Sequence, residues 1–503
     1  MASLGEVVRA AAARYGDKPV YVDSEGEQFS FAQLDRLSDA VASGMWARGV
    51  RTGDVVGLLL PSGPFYAVAY AAAAKIGAIT AGVNDRLSVP ERAKCMELAR
   101  PRIMVTPKGS ETTQPIPLTD ACESVEVDTD ATADDALSEL VSSAPVEEPP
   151  VDPERPVAIV FTSGTTGQPK GAVFGTRQLD AVGFADGGLR WGGGGRGLTT
   201  TSFAHVGYMT KVPQTLRSGT TTYLMRRWNA AEALELAGRH RVTTLGGIPT
   251  QMELMLRHES FASTDLSSVQ MVVLGGGHAT AALVREVRAR LGVPVVVRYT
   301  CTEAGVGTGT DPAGPPQDAE ETVGVARTGV EVSVRDDTGG ALAPGEAGEV
   351  CLRSAAVMSG YWRDSEATAA VTCPDGAVRT GDVGFVDERG RLHLTGRSKE
   401  MYVRGGYNVY PAEVEGALAD HPLVAHVAVA ARSDPVMGEI GVAVVVPRRD
   451  SEPPSLEALR EHARPKLASY KLPEDVVVVG ELPRTAMDKI DRRALARLVG
   501  GGP

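Results

Sequence analysis

The sequence contains few cysteines, and their arrangement excludes two common kinds of structural crosslink. Its 503 residues include five cysteines, scattered along the chain without Cys-x-x-Cys spacing. An odd and scattered set predicts neither a disulfide framework nor a zinc site. We therefore expect the five cysteines to be buried and to pack as small hydrophobic residues: Cys95, Cys122, Cys301, Cys351 and Cys373.

A long hydrophobic run is also missing. The most apolar span, residues 55–83, is interrupted by the Pro-Ser-Gly-Pro of residues 61–64 and by Lys75. No stretch is therefore long enough to cross a bilayer. The residues after Met1 lack the basic and apolar segments of a signal peptide, so we expect a cytoplasmic protein without a membrane span.

Positive charge is scarce as well. The chain has 63 acidic and 51 basic residues, a net charge of −12, which argues against nucleic acid or an anionic membrane as a standing partner. Because only ten of the basic residues are lysines, a retained lysine suggests a place that needs a compact, flexible ammonium. The length predicts two or more domains and leaves open whether the protein is a monomer or a homodimer.

The first hundred residues alternate between patterns typical of helices and of strands. Ser30 and Gln33 form a capping box at the start of a helix that we expect to end near Gly49. A buried strand is predicted at Val55–Leu60 and an alanine-rich helix at Phe65–Ile76. This alternation predicts an α/β layer architecture.

An acidic, proline-rich segment follows between Glu123 and Glu154. Its prolines interrupt any regular pattern, and its charge disfavours burial. We interpret it as a flexible surface connection.

The densest polar motif is the decapeptide Thr162–Gly171, which reads Thr-Ser-Gly-Thr-Thr-Gly-Gln-Pro-Lys-Gly. Short apolar runs on both sides predict a strand, a turn and a second strand. Its glycines allow positive φ, so that successive backbone N–H groups can point into one concavity. Four hydroxyls and the Lys170 ammonium add further donors, which is the chemistry that a polyphosphate requires.

The decapeptide is not a Walker A loop, since that motif needs Gly-Lys-Ser/Thr entering a helix and Lys170 lies between Pro169 and Gly171. An ordinary surface turn remains the simpler alternative. At every position the decapeptide resembles the phosphate-binding motif of the adenylate-forming superfamily, which contains acyl- and aryl-CoA synthetases, amino-acid adenylation domains and luciferases. The resemblance assigns six residues to the ATP phosphates: Thr162, Ser163, Gly164, Thr165, Thr166 and Lys170.

Two further predicted strands end in candidate ligand-binding residues. The first is followed by Gly275, Gly276 and Gly277, and ligands bind at such strand ends in open α/β sheets. The second leads to Tyr299–Glu303, which resembles the family motif Tyr-Gly-x-Thr-Glu. The resemblance implies Tyr299 beside adenine, Thr302 near the phosphates and Glu303 as the Mg²⁺ ligand. Thr300 replaces the usual glycine, which narrows the nucleotide pocket. A strand followed by an ordinary turn is the alternative.

Motifs nearer the carboxyl end resemble the ribose and hinge segments of the family. The resemblance implies that Asp382 accepts hydrogen bonds from both ribose hydroxyls and that Arg397 contacts the nucleotide. Lys399 matches the hinge position, while Gly405 and Gly406 match glycines that allow the pantetheine of coenzyme A to approach the backbone. A charged surface hairpin is the simpler alternative.

Two single residues complete the candidate site. His205 lies in a segment that resembles the family's Pro-x-x-His-x-x-Gly, with Ser202 in place of proline, between the acyl pocket and the nucleotide. Lys489 matches the lysine that crosses into the active site, with Asp488 where glycine is usual. A structural histidine and a solvated basic tail are the alternatives.

Together the motifs imply a large N-terminal adenylation domain of layered α/β subdomains, residues 1–396, and a small mobile α+β domain, residues 397–503. The implied reaction is activation of a carboxylic acid by ATP and Mg²⁺ to an acyl-AMP, followed by transfer to coenzyme A. Transfer to a carrier protein and a catalytically impaired nucleotide-binding homologue remain alternatives. The candidate catalytic residues are His205, Glu303, Arg397 and Lys489.

The acid itself is not predicted. Residues 205–209, 246–249 and 305–309 are candidate lining residues, and they are mostly small or apolar. They favour an aliphatic or alicyclic acid. Arg298 could meet the second carboxylate of a diacid or could be an ordinary ion-pair residue.

Overall fold

The protein was analysed as a computed structural model, which describes residues 1–109, 122–147, 149–162, 169–199, 201–449, 451–485 and 489–500. Within these residues the strands form four sheets. The strands are β1 (Pro19–Val22), β2 (Gln28–Ser30), β3 (Val55–Leu58), β4 (Ile79–Gly82), β5 (Ile103–Pro107), β6 (Glu123–Val127), β7 (Pro156–Thr162), β8 (Lys170–Gly175), β9 (Arg196–Leu198), β10 (Thr221–Tyr223), β11 (Thr244–Gly247), β12 (Met271–Gly275), β13 (Val295–Tyr299), β14 (Thr308–Gly309), β15 (Val325–Ala326), β16 (Val330–Arg335), β17 (Gly348–Ser354), β18 (Val378–Val386), β19 (Leu392–Arg397), β20 (Tyr402–Arg404), β21 (Tyr407–Val409), β22 (Val424–Asp434), β23 (Gly438–Pro447) and β24 (Asp475–Val478).

Helices cover the sheets and connect many of the strands. The α-helices of the described residues are α1 (Leu4–Tyr15), α2 (Phe31–Ala47), α3 (Pro64–Lys75), α4 (Val89–Ala99), α5 (Ala133–Ala136), α6 (Thr176–Gly187), α7 (Val206–Met209), α8 (Val212–Ser218), α9 (Ala230–Arg239), α10 (Pro249–Arg257), α11 (Ala281–Leu291), α12 (Pro316–Glu321), α13 (Ser365–Val371), α14 (Pro411–Leu418), α15 (Leu456–Ala463) and α16 (Arg492–Leu498).

Two large sheets form the body of the N-terminal part. One has six strands in the order β6-β5-β3-β4-β7-β8, all parallel except the β7–β8 pair. The other has the order β15-β14-β13-β12-β11-β9-β10-β1-β2, with β11, β12 and β13 parallel to one another. Their apolar residues pack with α1, α2, α3 and α9 to α11 into buried cores. The predicted α/β architecture is therefore confirmed.

A four-stranded antiparallel sheet, β16-β17-β18-β19, follows and ends at Arg397. The fourth sheet begins at Tyr402 and contains β20, β21, β22, β23 and β24. Helices α14 and α15 cover it, and it has its own apolar core. The change of sheet thus lies in residues 398–401. The domain boundary between 396 and 397 stays a prediction.

The flexible connection predicted between Glu123 and Glu154 is wrong for part of that segment. Strand β6 pairs with β5, and Val125 and Val127 are buried. Leu137 and Leu140 also enter the main core. The alternating valines of β6 point to one face of the sheet and are buried there. The acidic composition of the segment does not indicate this pairing.

Candidate active site

The carboxyl ends of parallel strands bring the first candidate residues together. Strand β12 pairs with β13 so that Gly275 lies opposite Arg298, directly before Tyr299. Gly276 follows with φ +74°, a conformation that side chains rarely adopt. Because parallel strands end at the same edge of a sheet, the 275–277 glycines and Tyr299 lie at one edge of this sheet.

A hydrogen-bonded cluster of Tyr299, Asp382 and Arg397 forms the centre of the site. The Tyr299 hydroxyl donates to Asp382 Oδ2 at 2.7 Å, and Arg397 Nε donates to Oδ1 at 2.8 Å. Asp382 and Arg397 lie opposite each other on β18 and β19. The Asp382 side chain is 8% exposed, whereas that of Arg397 is 61% exposed. The cluster therefore holds a fixed carboxylate beside a guanidinium that faces solvent.

Burial and the neighbouring Asp382 raise the pKa of Tyr299 well above its usual value. The phenol therefore stays protonated and donates to the carboxylate across the working pH range. An ionised carboxylate has about four acceptor positions, so Asp382 can accept further hydrogen bonds beyond these two.

Glu303 lies in a short 3₁₀ helix, Thr302–Ala304, just after β13. Its carboxylate Oε1 accepts a 2.6 Å hydrogen bond from the Tyr361 hydroxyl. Gly305 ends this turn at φ +68°, and a Cβ there would lie 2.9 Å from the Ala356 carbonyl oxygen. The turn is therefore fixed by backbone geometry as well as by Tyr361.

Lys489 of the C-terminal part lies within electrostatic reach of this cluster. Desolvation of its ammonium lowers the pKa of Lys489, Arg397 lowers it further, and Asp382 opposes the shift. The charge of Lys489 also acts on His205 of the N-terminal part. Four sequence-predicted residues from separate motifs, namely His205, Asp382, Arg397 and Lys489, are therefore electrostatically coupled.

His205 is positioned by the start of α7. Its ring Nδ1 accepts a hydrogen bond from the Gly207 N–H at 3.2 Å. Burial, followed by the charge of Lys489, lowers the pKa of His205 to about 4. The ring is therefore neutral near pH 7, and because Nδ1 accepts, Nε2 carries the proton. This geometry makes His205 a hydrogen-bond donor through Nε2.

We expect His205 to lower the free energy of unfolding in mild acid. Its folded pKa of about 4 lies below the value of about 6.5 for a free imidazole, so only the unfolded chain binds the extra proton between these values. The stabilisation is complete above pH 6.5 and is lost as the pH falls towards 4. The decrease in thermal midpoint between pH 7.5 and pH 5 should therefore be smaller for His205→Gln than for the wild type.

His258→Gln is the matched control for this measurement. His258 is also partly buried, and its Nδ1 accepts the Ser260 N–H at 3.3 Å. An equal acid-induced drop in midpoint for the wild type and His205→Gln would contradict the expected coupling.

Several predicted residues have a less complete structural description. Residues 163–168 and Asp488 lie outside the described residues, so the proposed phosphate contacts of Ser163, Gly164, Thr165 and Thr166 and the effect of Asp488 stay predictions. The flanks of the loop are described: Thr162 on β7 lies opposite Lys170 on β8. The two strands expected on either side of the loop are present and pair with each other.

The predicted hinge and pantetheine residues lie on the C-terminal side of the cleft. Lys399 is in the 398–401 connection, and Gly405 and Gly406 form the exposed turn between β20 and β21 with φ +54° and +87°. The Gly405 N–H donates to the carbonyl oxygen of Met437, in the connection between β22 and β23, at 2.8 Å. Both glycines have the backbone conformation that favours this residue type.

Sequence reasoning missed contacts that hold the two parts together. His426 Nδ1 lies 2.9 Å from Glu253 Oε2, and Arg257 donates to the Ala425 carbonyl oxygen at 2.9 Å. Arg285 pairs with Asp420 at 3.2 Å. These residues form no recognisable motif, because each contact joins surfaces more than 130 positions apart in the chain.

Comparison with known proteins decides the family. Residues 8–362 match the family described as AMP-binding enzyme. The chain belongs to the AMP-binding enzyme family. Residues 413–489 match the AMP-binding enzyme C-terminal domain, which contains Lys489. The predicted membership of the adenylate-forming superfamily is thereby confirmed.

Relatives of this AMP-binding enzyme span nearly its whole length. The indoleacetate–CoA ligase of Aromatoleum aromaticum is 36% identical and covers 93% of both chains. The fatty acid–acyl-carrier-protein ligase ScoC of Streptomyces coeruleorubidus is 32% identical over 94% of this chain and 92% of its own. The crystal structure of ATP-bound MatB from Rhodopseudomonas palustris aligns with a TM-score of 0.89 and 25% identity over 99% of each chain.

Across the ranges that the structure describes, none of the helices combines the length and apolar character needed to cross a bilayer.

Proposed function

We propose that this AMP-binding enzyme activates a carboxylic acid with ATP, releasing pyrophosphate, and then transfers the acyl group from acyl-AMP to coenzyme A. The observation that carries the proposal is the hydrogen-bonded pair of Asp382 and Arg397, to which Lys489 is electrostatically coupled, as it is to His205. Residues of both parts of the chain thus contribute to one site, and this supports a two-step ligase with a mobile lid.

The first step must bring a carboxylate up to a triphosphate, and the two anions repel each other. We infer that Lys489 lies between the carboxylate and the α-phosphate and lowers this repulsion. Asp382 holds the ribose, Arg397 contacts the nucleotide, and His205 donates through Nε2 at the acyl side. The family resemblance implies these roles, and the Arg397–Asp382 hydrogen bond and the coupling of Lys489 to His205 support them.

Glu303 is the proposed Mg²⁺ ligand, and its setting fits that ion. Within the described part of the chain, no group of three His, Cys, Asp or Glu residues could cage a metal. Mg²⁺ is usually held by one or two carboxylates together with substrate phosphates, which is the donor set that Glu303 and ATP supply. The bound ion would neutralise charge on the phosphates.

For the second step, we infer that the domain proposed for residues 397–503 turns about Lys399. This turn withdraws Lys489 and brings Gly405 and Gly406 towards the acyl-AMP. Their lack of side chains lets pantetheine approach the backbone.

The acid is proposed only as a class. The mostly small and apolar residues 205–209, 246–249 and 305–309 favour an aliphatic or alicyclic acid. Within the described residues, Arg298 has no carboxylate partner, and it lies between Gly275 and Gly309 on neighbouring strands. The ordinary ion-pair interpretation of Arg298 is thus not supported, and the acids tested should include diacids.

Pyrophosphate exchange into ATP, measured with a panel of acids, tests the proposal. We expect exchange to require one class of acid, with AMP rather than ADP as the nucleotide product, and mass spectrometry to detect the CoA ester. Exchange without a CoA ester would favour the carrier-protein alternative, which resembles the reaction in the name of ScoC. No exchange with any acid would favour an impaired homologue, and ADP release would indicate a simple NTPase.

A further inference from the structure

Tyr361 lies between two groups that the proposed mechanism places on the triphosphate. It belongs to residues 359–362, which run along β8, the strand that begins with Lys170. The Ser359 N–H donates to the Val173 carbonyl oxygen at 2.9 Å, and the Trp362 N–H donates to the Gly171 carbonyl oxygen at 2.7 Å. The segment is therefore hydrogen-bonded to β8 at both of its ends.

The Tyr361 side chain is fixed within this segment. Its ring is buried, and its backbone N–H donates to Thr368 Oγ1 of α13 at 2.8 Å. A phenolic O–H can donate one hydrogen bond to a carboxylate.

The hydroxyl donates to Glu303 Oε1 at 2.6 Å. In the same turn, the Met358 N–H donates to the Glu303 carbonyl oxygen at 2.8 Å. The side chain and the backbone of Glu303 are thus both tied to residues 358–361. With one carboxylate oxygen occupied by the phenol, the orientation of the other is restricted.

The ring of Tyr361 meets the second group. Lys170 Nζ lies 4.9 Å from the ring centroid, within the range of a cation–π contact. The aromatic face therefore holds the ammonium, while the hydroxyl of the same side chain holds the carboxylate.

We propose that Tyr361 is a positioning residue that orients the Glu303 carboxylate for Mg²⁺ through its hydroxyl and the Lys170 ammonium through its ring, so that both face the triphosphate. This inference rests on the proposed function. A residue that orients a metal ligand through a hydrogen bond usually changes metal affinity by about 10–100-fold when removed.

Tyr361→Phe tests the hydroxyl, because it keeps the ring. The affinity of the protein–ATP complex for Mn²⁺, measured as loss of the free-ion electron paramagnetic resonance signal, should fall about 10-fold or more. The Mg²⁺ concentration for half-maximal pyrophosphate exchange should rise by a similar factor. Exchange at saturating Mg²⁺ should largely recover, and the KM for the acid should stay unchanged.

Tyr15→Phe is the matched control, because Tyr15 also donates a 2.6 Å hydrogen bond, to the Arg217 carbonyl oxygen, on a helix that carries none of the proposed site residues. We expect this variant to bind Mn²⁺ like the wild type. Tyr361→Leu removes the ring as well and should additionally weaken ATP binding, a loss that extra Mg²⁺ does not restore.

A double-mutant cycle excludes a general loss of stability as the cause. In the Glu303→Gln background, Tyr361→Phe should no longer change Mn²⁺ affinity, since the hydroxyl acts through the carboxylate. Additive effects, or wild-type Mn²⁺ affinity in Tyr361→Phe, would overturn the proposal. Because Mn²⁺ binding to the ATP complex is measured without an acid, failure of the proposed ligase reaction is distinguishable from failure of this inference.

Discussion

Lys489→Ala is expected to slow acid-dependent pyrophosphate exchange into ATP by about 10²–10³-fold, the usual cost of removing one group that stabilises transition-state charge. The attacking carboxylate and the α-phosphate are both anionic, and the structure places the Lys489 ammonium beside Asp382 and Arg397 of the proposed nucleotide site. The loss should appear in the rate of adenylate formation.

The second half reaction separates this effect from general damage. Chemically prepared acyl-AMP should still react with coenzyme A on Lys489→Ala at close to the wild-type rate, because the proposed turn of the C-terminal part would withdraw Lys489 for that step. Lys466→Ala removes another ammonium from the same C-terminal part and should retain exchange. Adenylate formation at full speed by Lys489→Ala would contradict the proposed mechanism.

Gly406→Leu is expected to impair the second half reaction and to spare the first, which is the opposite of Lys489→Ala. We expect CoA ester formation from acyl-AMP to fall about 100-fold, since a small misplacement of the reacting groups costs about that much. Pyrophosphate exchange should remain, because in this domain arrangement no atom lies within 4 Å of a Cβ added at Gly406. The leucine would instead obstruct the approach of pantetheine after the lid has turned.

Gly390→Leu controls for the backbone strain. Gly390 lies in the turn between β18 and β19 at φ +76°, close to the +87° of Gly406, and it too has open space around an added Cβ. The two variants should lose similar stability, measured as thermal midpoints, but only Gly406→Leu should lose thioester formation. If Gly406→Leu and Gly390→Leu formed the CoA ester at equal rates, the proposed role of Gly406 in the pantetheine channel would be contradicted.

Local patterns predicted much of the secondary structure. The capping box forms as expected, with Ser30 Oγ accepting the Gln33 N–H at 3.1 Å and Gln33 Oε1 accepting the Ser30 N–H at 2.8 Å. The apolar runs around the decapeptide form the β7–β8 hairpin. These features depend on residues a few positions apart, so the sequence alone contains the information.

Composition was a poorer guide where a partner strand decides the outcome. The acidic segment from Glu123 contains β6 because β5 offers free backbone groups beside it. Likewise, the sequence could not decide whether Arg298 meets a carboxylate, since that depends on which strands lie next to β13. Neither outcome is encoded within a short window of sequence.

The sequence by itself determined the family, the α/β fold and the candidate residues, because motifs and hydrophobic periods are short-range properties. Only the tertiary structure decided that Lys489 lies within electrostatic reach of Asp382, Arg397 and His205. It also revealed Tyr361, whose contact with Glu303 joins residues 58 positions apart. Such contacts form only when separate elements pack together, so no local pattern records them.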